Sequence, residues 1–232
     1  FLRIMTKLTV AYWHIRGLCA PLRMICEYAK ADWVCKTYEV TKNEQGEWSK
    51  ACWFEEKDAK PALIQKNPLM NLPYILDGDV VVTQTNACLS YLGRKFNLMG
   101  KDEKELVKVE QIMCQAMDLR NSSVPVFYGR NTDMDGWLTR DIHAHLKKFE
   151  EWLLFHNTPF TAGDSPTVGD FHLWEIVDHN ELLAKREGMS VLADYKALSS
   201  FYARFRALPE LEKYFASDLY SLPINNTHAK FL

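Results

Sequence analysis

Two kinds of hydrophobic spacing divide this chain. Up to Phe96, short apolar runs are interleaved with amphipathic segments, whereas from Asp102 onward apolar residues recur only every three or four positions. Side chains alternate faces along a strand and repeat about every 3.6 residues along a helix, so an α/β unit should precede an all-helical one. Lys7 to Trp13 predicts a strand, and Cys19 to Lys30 a helix with Leu22, Ile25, Cys26 and Ala29 on one face. Trp33 to Val40, rich in aromatic and β-branched residues, predicts a second strand. Residues 41 to 60 are charged, carry Trp48, Trp53 and Phe54, and read as a loop with a short helix. "NLPYILDGDVVVTQ" predicts two strands about the turn Asp77-Gly78, followed by a helix over Thr85 to Lys95. The order is β-α-β-α-β-β-α, with a first domain over 1–96. Leu106, Val109, Ile112, Met113 and Ala116 open the helical half, and Leu138 to Phe155, Val168 to Asn180, Tyr195 to Ala207 and Leu211 to Ser217 continue it. The second domain is expected over 102–232, with "NLMGK" at 97–101 as the joint.

Composition narrows the function classes. With 232 residues, 47% hydrophobic and 25% charged, the chain can bury one or two cores. Its net charge is −2, and no block of five like charges offers a polyanion-binding arm, which argues against nucleic acid. No apolar stretch approaches the roughly 20 residues that cross a bilayer, and no basic-then-apolar segment opens the chain. A cytoplasmic protein is expected. Cys19, Cys26, Cys35, Cys52, Cys88 and Cys114 are scattered without a CxxC, so buried thiols are favoured over disulfides. His172, Glu175 and His179 can share one helical face, but a metal there would need ligands from another helix; structural histidines are preferred, and no metal or cofactor is expected.

Local physics explains one motif and leaves others open. In "PTVGDF", Thr167 can cap a helix, Asp170 can reach back to its N–H, and Pro166 against Phe171 can act as a staple, so Asp170 reads as structural. In "NLPYI", Pro73 at a strand start has no N–H for a ladder. If the Leu72–Pro73 bond is cis, the turn presents the N–H and C=O of Leu72 to an extended peptide. In "TQTNA", Gln84, the Thr85 hydroxyl and the free N–H groups of the following helix suit a carboxylate, while Thr85 as a simple cap remains the plainer reading. "AYWHIRGL" ends the first strand with Tyr12, Trp13 and His14, either as packing or as a place for chemistry.

"YWHIRGL", "WFEEK", "NLPYILDG", "TQTNACLSYLGRK", "CQAMD" and "TVGDF", in this order, resemble the cytosolic glutathione S-transferases, and closest the mu class. The resemblance implies a thioredoxin-like N-terminal domain that binds glutathione, an all-α C-terminal domain holding much of the electrophile pocket, and a homodimer. It also implies a detoxification role: glutathione is activated as its thiolate and conjugated to small hydrophobic electrophiles. Tyr12 is then the catalytic tyrosine, donating to the glutathione sulfur. Glutathione would further be bound by Trp13, Leu18, Lys50, Trp53, Lys57, Asn71, Leu72, Pro73, Gln84, Thr85 and, across the dimer, Asp118. Within that set, Trp53 and Lys57, four apart on a short helix, match the pair for the glycyl carboxylate, and Lys50 stands where the mu pattern has arginine. Gln84 and Thr85 match the γ-glutamyl carboxylate site, with threonine for the usual serine. Trp13, Leu18, Met117, Asn121 and Tyr128 match the electrophile pocket. His14 receives no catalytic role and is expected to be structural.

Several positions depart from the pattern. "NSSVPVFYGR" is unusual, with Pro125 expected to bend or end its helix, the stretch between Trp53 and Asn71 is longer, and Ser90 replaces an interfacial arginine. Two alternatives stand beside the transferase. Cys19 at a helix entrance could serve a glutathione-dependent thiol transferase, or the fold could be a non-catalytic ligand-binding or structural subunit.

Overall fold

The computed structural model describes residues 7–231, so the first residues, around Met5, lie outside the described part. Two compact units emerge. The first runs to Leu92 and includes Lys213–His228; the second is Gly93–Glu212 with Ala229–Phe231. The expected joint at 97–101 therefore falls inside the second unit, and residues 213–228, expected in the helical domain, group with the first.

The first unit contains β1 (Leu8–Trp13), α1 (Ala20–Tyr28), β2 (Trp33–Tyr38), β3 (Thr41–Lys42), β4 (Trp48–Ser49), α2 (Ala51–Phe54), α3 (Lys60–Lys66), β5 (Tyr74–Asp77) and β6 (Val80–Thr83), and most of α4 (Thr85–Lys95). The main sheet has the order β2-β1-β5-β6, with β1 and β2 parallel and the other neighbours antiparallel. Trp13 pairs with Tyr38, Ala11 with Tyr74, and Tyr74 with Thr83. Because β5 runs against β1 and β6, its first residue lies at the same end of the sheet as the last residues of β1, β2 and β6. That end receives every loop discussed below.

The β3–β4 hairpin and α3 were not expected. Two-residue strands carry too little alternation to read, and α3 buries only Leu63 on its apolar face. Its Pro61, placed in the first helical turn, is the one start signal it offers. α1 behaves differently: it buries Leu22, Met24, Ile25 and Cys26, and also Arg23, whose guanidinium donates to Ile15 O at 2.7 Å and Trp13 O at 3.3 Å. This buried cation, which donates to two carbonyls while its Nε has no partner among the described residues, holds the loop after β1.

The second unit holds α5 (Glu103–Phe127), α6 (Met134–Gly136), a π turn over Trp137–Asp141, α7 (His143–His156), α8 (Val168–Arg186) and α9 (Lys196–Arg206); α10 (Glu212–Phe215) follows. The run expected from Leu138 to Phe155 is thus split between the π turn and α7. α5 continues two residues past Pro125, although proline has no N–H to donate to the carbonyl four residues before it. Val109, Ile112, Met113 and Ala116 of α5 are buried, the first three contributing about 1.5–3 kcal/mol each. A side chain at Gly169 of α8 would approach Ile112 Cγ2 to 3.1 Å, so the two helices meet closely there. At the start of α8, Thr167 and Asp170 close the expected capping box. The buried Asp170 carboxylate accepts from Thr167 N–H and hydroxyl, both at 2.8 Å, and from Thr161 N–H at 2.7 Å.

Candidate active site

Tyr12 is the second-last residue of β1 and only 6% exposed. Its ring lies against Gly17, where a Cβ would stand 2.7 Å from Tyr12 Cε1 and 3.2 Å from the hydroxyl. Gly17 has φ +42°, in the left-handed region that disfavours other residues. The loop between them is pinned from several sides. His14 N–H donates to Tyr38 O, Arg16 N–H to Pro223 O at 2.8 Å, and Gly17 N–H to Ile224 O at 3.1 Å. The Arg16 guanidinium lies 4.5 Å from the centre of the Tyr220 ring. Trp13 and Leu18 are half-buried beside Tyr12, whereas His14 is exposed.

Trp53, the third residue of α2, is buried at the same end of the sheet. Its indole meets Tyr38 edge-on at 5.1 Å and stacks on Tyr74 at 6.0 Å, and the hydroxyls of those tyrosines are 3.2 Å apart. Burial, the largest cause in each case, pushes both phenols above their ordinary range. Lys50 precedes α2 and is exposed; His228 is held below the ordinary imidazole range by burial and then by the Lys50 charge. Lys57 lies three residues beyond the end of α2 and is exposed. The expected Trp53–Lys57 pair on one helix is therefore not formed. The cation that covers Trp53 is Lys60, with Nζ 4.6 Å from the ring centre. Four residues of helix were too short to carry the spacing to Lys57, and Lys60 was not singled out from the sequence.

The Leu72–Pro73 bond is cis. Leu72 N–H, expected to face outward, is taken by its neighbour Asn71 Oδ1 at 2.9 Å. The Thr83 hydroxyl, in contact with Asn71 O at 2.8 Å and Pro73 O at 3.1 Å, ties the turn to β6. Gln84 follows with φ +71° and is exposed, a rare backbone state for a residue other than glycine. Thr85 is the buried first residue of α4, so it does not stand in the cap position before the helix. Tyr12, Trp53, the Leu72–Pro73 turn and the Gln84–Thr85 junction thus lie along one end of one sheet. A helix N-terminus on one side and a lysine on an indole on the other suit a ligand with a carboxylate at each end.

In the second unit, Met117, Asn121 and Tyr128 share one side of α5 and its C-cap. Met117 and Tyr128 are half-buried; Asn121 is exposed and accepts from Arg120 at 3.2 Å. Asp118 is exposed and, with Gln115, Lys148 and Trp152, lines a cavity of about 300 Å³ between α5 and α7. Among the described residues no group of three or more His, Cys, Asp or Glu could hold a metal ion. No helix there is long and apolar enough to cross a membrane.

The family model "Glutathione S-transferase, N-terminal domain" matches residues 8–94, and "Glutathione S-transferase, C-terminal domain" matches residues 117–218. Glutathione S-transferase Mu 5 of Rattus norvegicus is 31% identical over 97% of this chain and 95% of its own length. The chain belongs to the glutathione S-transferase family. Glutathione S-transferase Mu 3 of Homo sapiens is likewise 31% identical, over 97% of this chain and 96% of its own. The crystal structure of the glutathione S-transferase Blo t 8 superposes with a TM-score of 0.79, covering 96% of this chain and 99% of that one at 24% identity. The order of motifs read from the sequence and the two family models point to the same family, with mu-class enzymes among its relatives.

Proposed function

We propose that this chain is a glutathione transferase that holds glutathione across the end of the β2-β1-β5-β6 sheet and conjugates it to small hydrophobic electrophiles. Tyr12, at the end of β1, keeps its hydroxyl proton and donates a hydrogen bond to the glutathione sulfur. The thiol proton passes to solvent, and the sulfur lone pair forms the new bond to carbon as the leaving group departs with its bonding pair, or as the π electrons of an activated double bond shift onto its electron-withdrawing group and are then protonated from solvent. A free thiol with a pKa of about 8.5 is mostly protonated at neutral pH, so a donor aimed at sulfur favours the reactive form. The γ-glutamyl carboxylate goes to Gln84, Thr85 and the N-terminus of α4. The cysteinyl backbone goes to Leu72 beside Pro73, with its N–H exchanging the Asn71 side chain for the ligand. Trp13, Leu18, Met117, Asn121 and Tyr128 receive the electrophile. The protein works in the cytoplasm as a homodimer, in which Asp118 reaches the γ-glutamyl amino group bound by its partner.

The observation that carries this reading is Tyr12 packed on Gly17 at the sheet end that also holds the cis turn and the Gln84–Thr85 junction. The thiol-transferase alternative is disfavoured because Cys19 is fully buried. Retention on immobilised glutathione and turnover of a chlorodinitrobenzene are expected. Tyr12→Phe should raise the pKa of bound glutathione, read from thiolate absorbance, by about 2 units, or roughly 2.7 kcal/mol. Retention without turnover favours the ligand-binding reading. No retention excludes both, and loss of activity in Cys19→Ser with Tyr12→Phe intact reverses the assignment.

A further inference from the structure

At the C-terminal end of α8 the second unit contains a cavity of about 360 Å³ that shares no residue with the proposed glutathione and electrophile sites. Val126 of α5, Leu183 of α8 and Phe231 are its buried apolar lining, and Met134 of α6 joins them. Two cations, Arg186 and Lys230, also line it, and no acidic residue among the described residues does. Its volume lies at the lower end of the roughly 300–1,000 Å³ of small-molecule sites. An apolar lining under a positive rim is complementary to a ligand with an apolar body and one negative group. We propose that this cavity binds amphipathic monoanions of the aryl or medium-chain carboxylate class, with the carboxylate at Lys230 and Arg186 and the body against Val126, Leu183 and Phe231.

Both cations are placed by the packing around them. The N–H groups of Lys230 and Phe231 donate to Phe127 O at 2.9 and 3.2 Å, which fastens this segment to the end of α5. The Phe231 ring meets Phe127 at 5.5 Å and lies 4.9 Å under the Arg186 guanidinium. The Lys230 methylenes cross Gly129, where a Cβ would come within 2.6 Å of Cδ and Cε. No carboxylate is ion-paired with Lys230 among the described residues. Arg186 donates from Nε to Glu187 at 3.0 Å and from Nη1 to Lys230 O at 3.3 Å, whereas Nη2 meets Met134 Sδ at 3.7 Å. A thioether is a weak acceptor, so a carboxylate can replace it with a charge-assisted bond. A bare phosphate would leave the apolar lining uncovered, and the ligand therefore needs a hydrophobic body.

The test titrates the full chain by calorimetry with 1-naphthaleneacetate and with its neutral amide, in the presence of excess S-hexylglutathione to fill the transferase site. The acetate should bind once per chain, and inorganic phosphate in about tenfold excess should not displace it. Lys230→Met and Arg186→Gln should each weaken the acetate about fivefold and leave the amide within about twofold. Met134→Trp, which fills the cavity, should weaken both probes more than about tenfold. The proposal is overturned if the acetate does not bind, if S-hexylglutathione abolishes its binding, if phosphate displaces it, if both charge variants weaken the two probes equally, or if Met134→Trp leaves binding intact. Failure to bind S-hexylglutathione, with the acetate still bound and sensitive to Lys230→Met, would remove the glutathione reading and leave this site standing.

Discussion

At the scale of single residues, two unusual backbone angles sit at the sheet end proposed to hold glutathione. Gly17 must be glycine twice over, because of its φ of +42° and because any Cβ would press on the Tyr12 ring. Gly17→Ala is expected to lose roughly 1–3 kcal/mol of stability and to displace the Tyr12 hydroxyl. Thiolate absorbance of bound glutathione should then titrate at higher pH than in the wild type, with glutathione affinity affected less. Gln84, at φ +71°, has the opposite balance: its backbone favours glycine, yet the position carries a polar side chain. Gln84→Gly should stabilise the fold by about 1 kcal/mol in urea unfolding while raising KM for glutathione. A variant that is more stable and binds equally well would show that the side chain does nothing for the ligand. Both residues lie in motifs visible in the sequence, but neither angle was legible there, since a φ value is set by what the surrounding structure enforces.

At the scale of elements, α8 is the most deeply buried helix of the second unit, and it carries His172 at its centre. Both ring nitrogens of His172 are buried without a partner. Burial first, then the charge of Arg120, pushes the imidazole down to about 3, with Glu175 opposing. Folded His172 therefore stays neutral where the unfolded chain, near 6.5, takes up a proton. Its contribution to stability is complete above pH 6.5 and is lost as pH falls from 6.5 toward 3, by up to about 1.4 kcal/mol per pH unit. His172→Phe should flatten this acid limb in urea melts at pH 7 and pH 5, and an unchanged slope would assign the pH dependence to other groups. The capping box of the same helix gives a second expectation. Asp170→Ala leaves three buried donors unpaired and should cost at least about 3 kcal/mol, more than the roughly 0.5–2 kcal/mol of an ordinary cap. The box was readable from "PTVGDF" because capping is local in sequence; the third donor, Thr161 N–H, comes from nine residues away and was not.

At the scale of the whole molecule, the chain returns at its end to the place where the site begins. Residues 213–228 belong to the first unit, and Pro223 O and Ile224 O accept the N–H groups of Arg16 and Gly17. Tyr220 covers the Arg16 guanidinium. Tyr220→Ala removes a contact worth about 0.5–2 kcal/mol and should loosen the loop that carries Tyr12. A fall in kcat, with the KM for glutathione little changed and the far-UV dichroism preserved, is the expected signature. No change in kcat would mean that the backbone bonds alone hold the loop.

The sequence by itself determined the four strands of the main sheet, the long helices, the turn at Asp77-Gly78, the bounds of α4 and the motifs at Tyr12, Pro73 and Gln84, because each depends on spacing within a few residues. Only the tertiary structure decided which residues from distant segments meet: Lys60 rather than Lys57 over Trp53, the Asn71 side chain on Leu72 N–H, and residues 213–228 beside Arg16 and Gly17. Periodicity reports which face of an element is apolar. Which cation lies on an indole depends on where a four-residue helix stops and how the next one starts, and that is settled by the packing of Trp53 between Tyr38 and Tyr74 and by the Glu56 carboxylate at the head of α3.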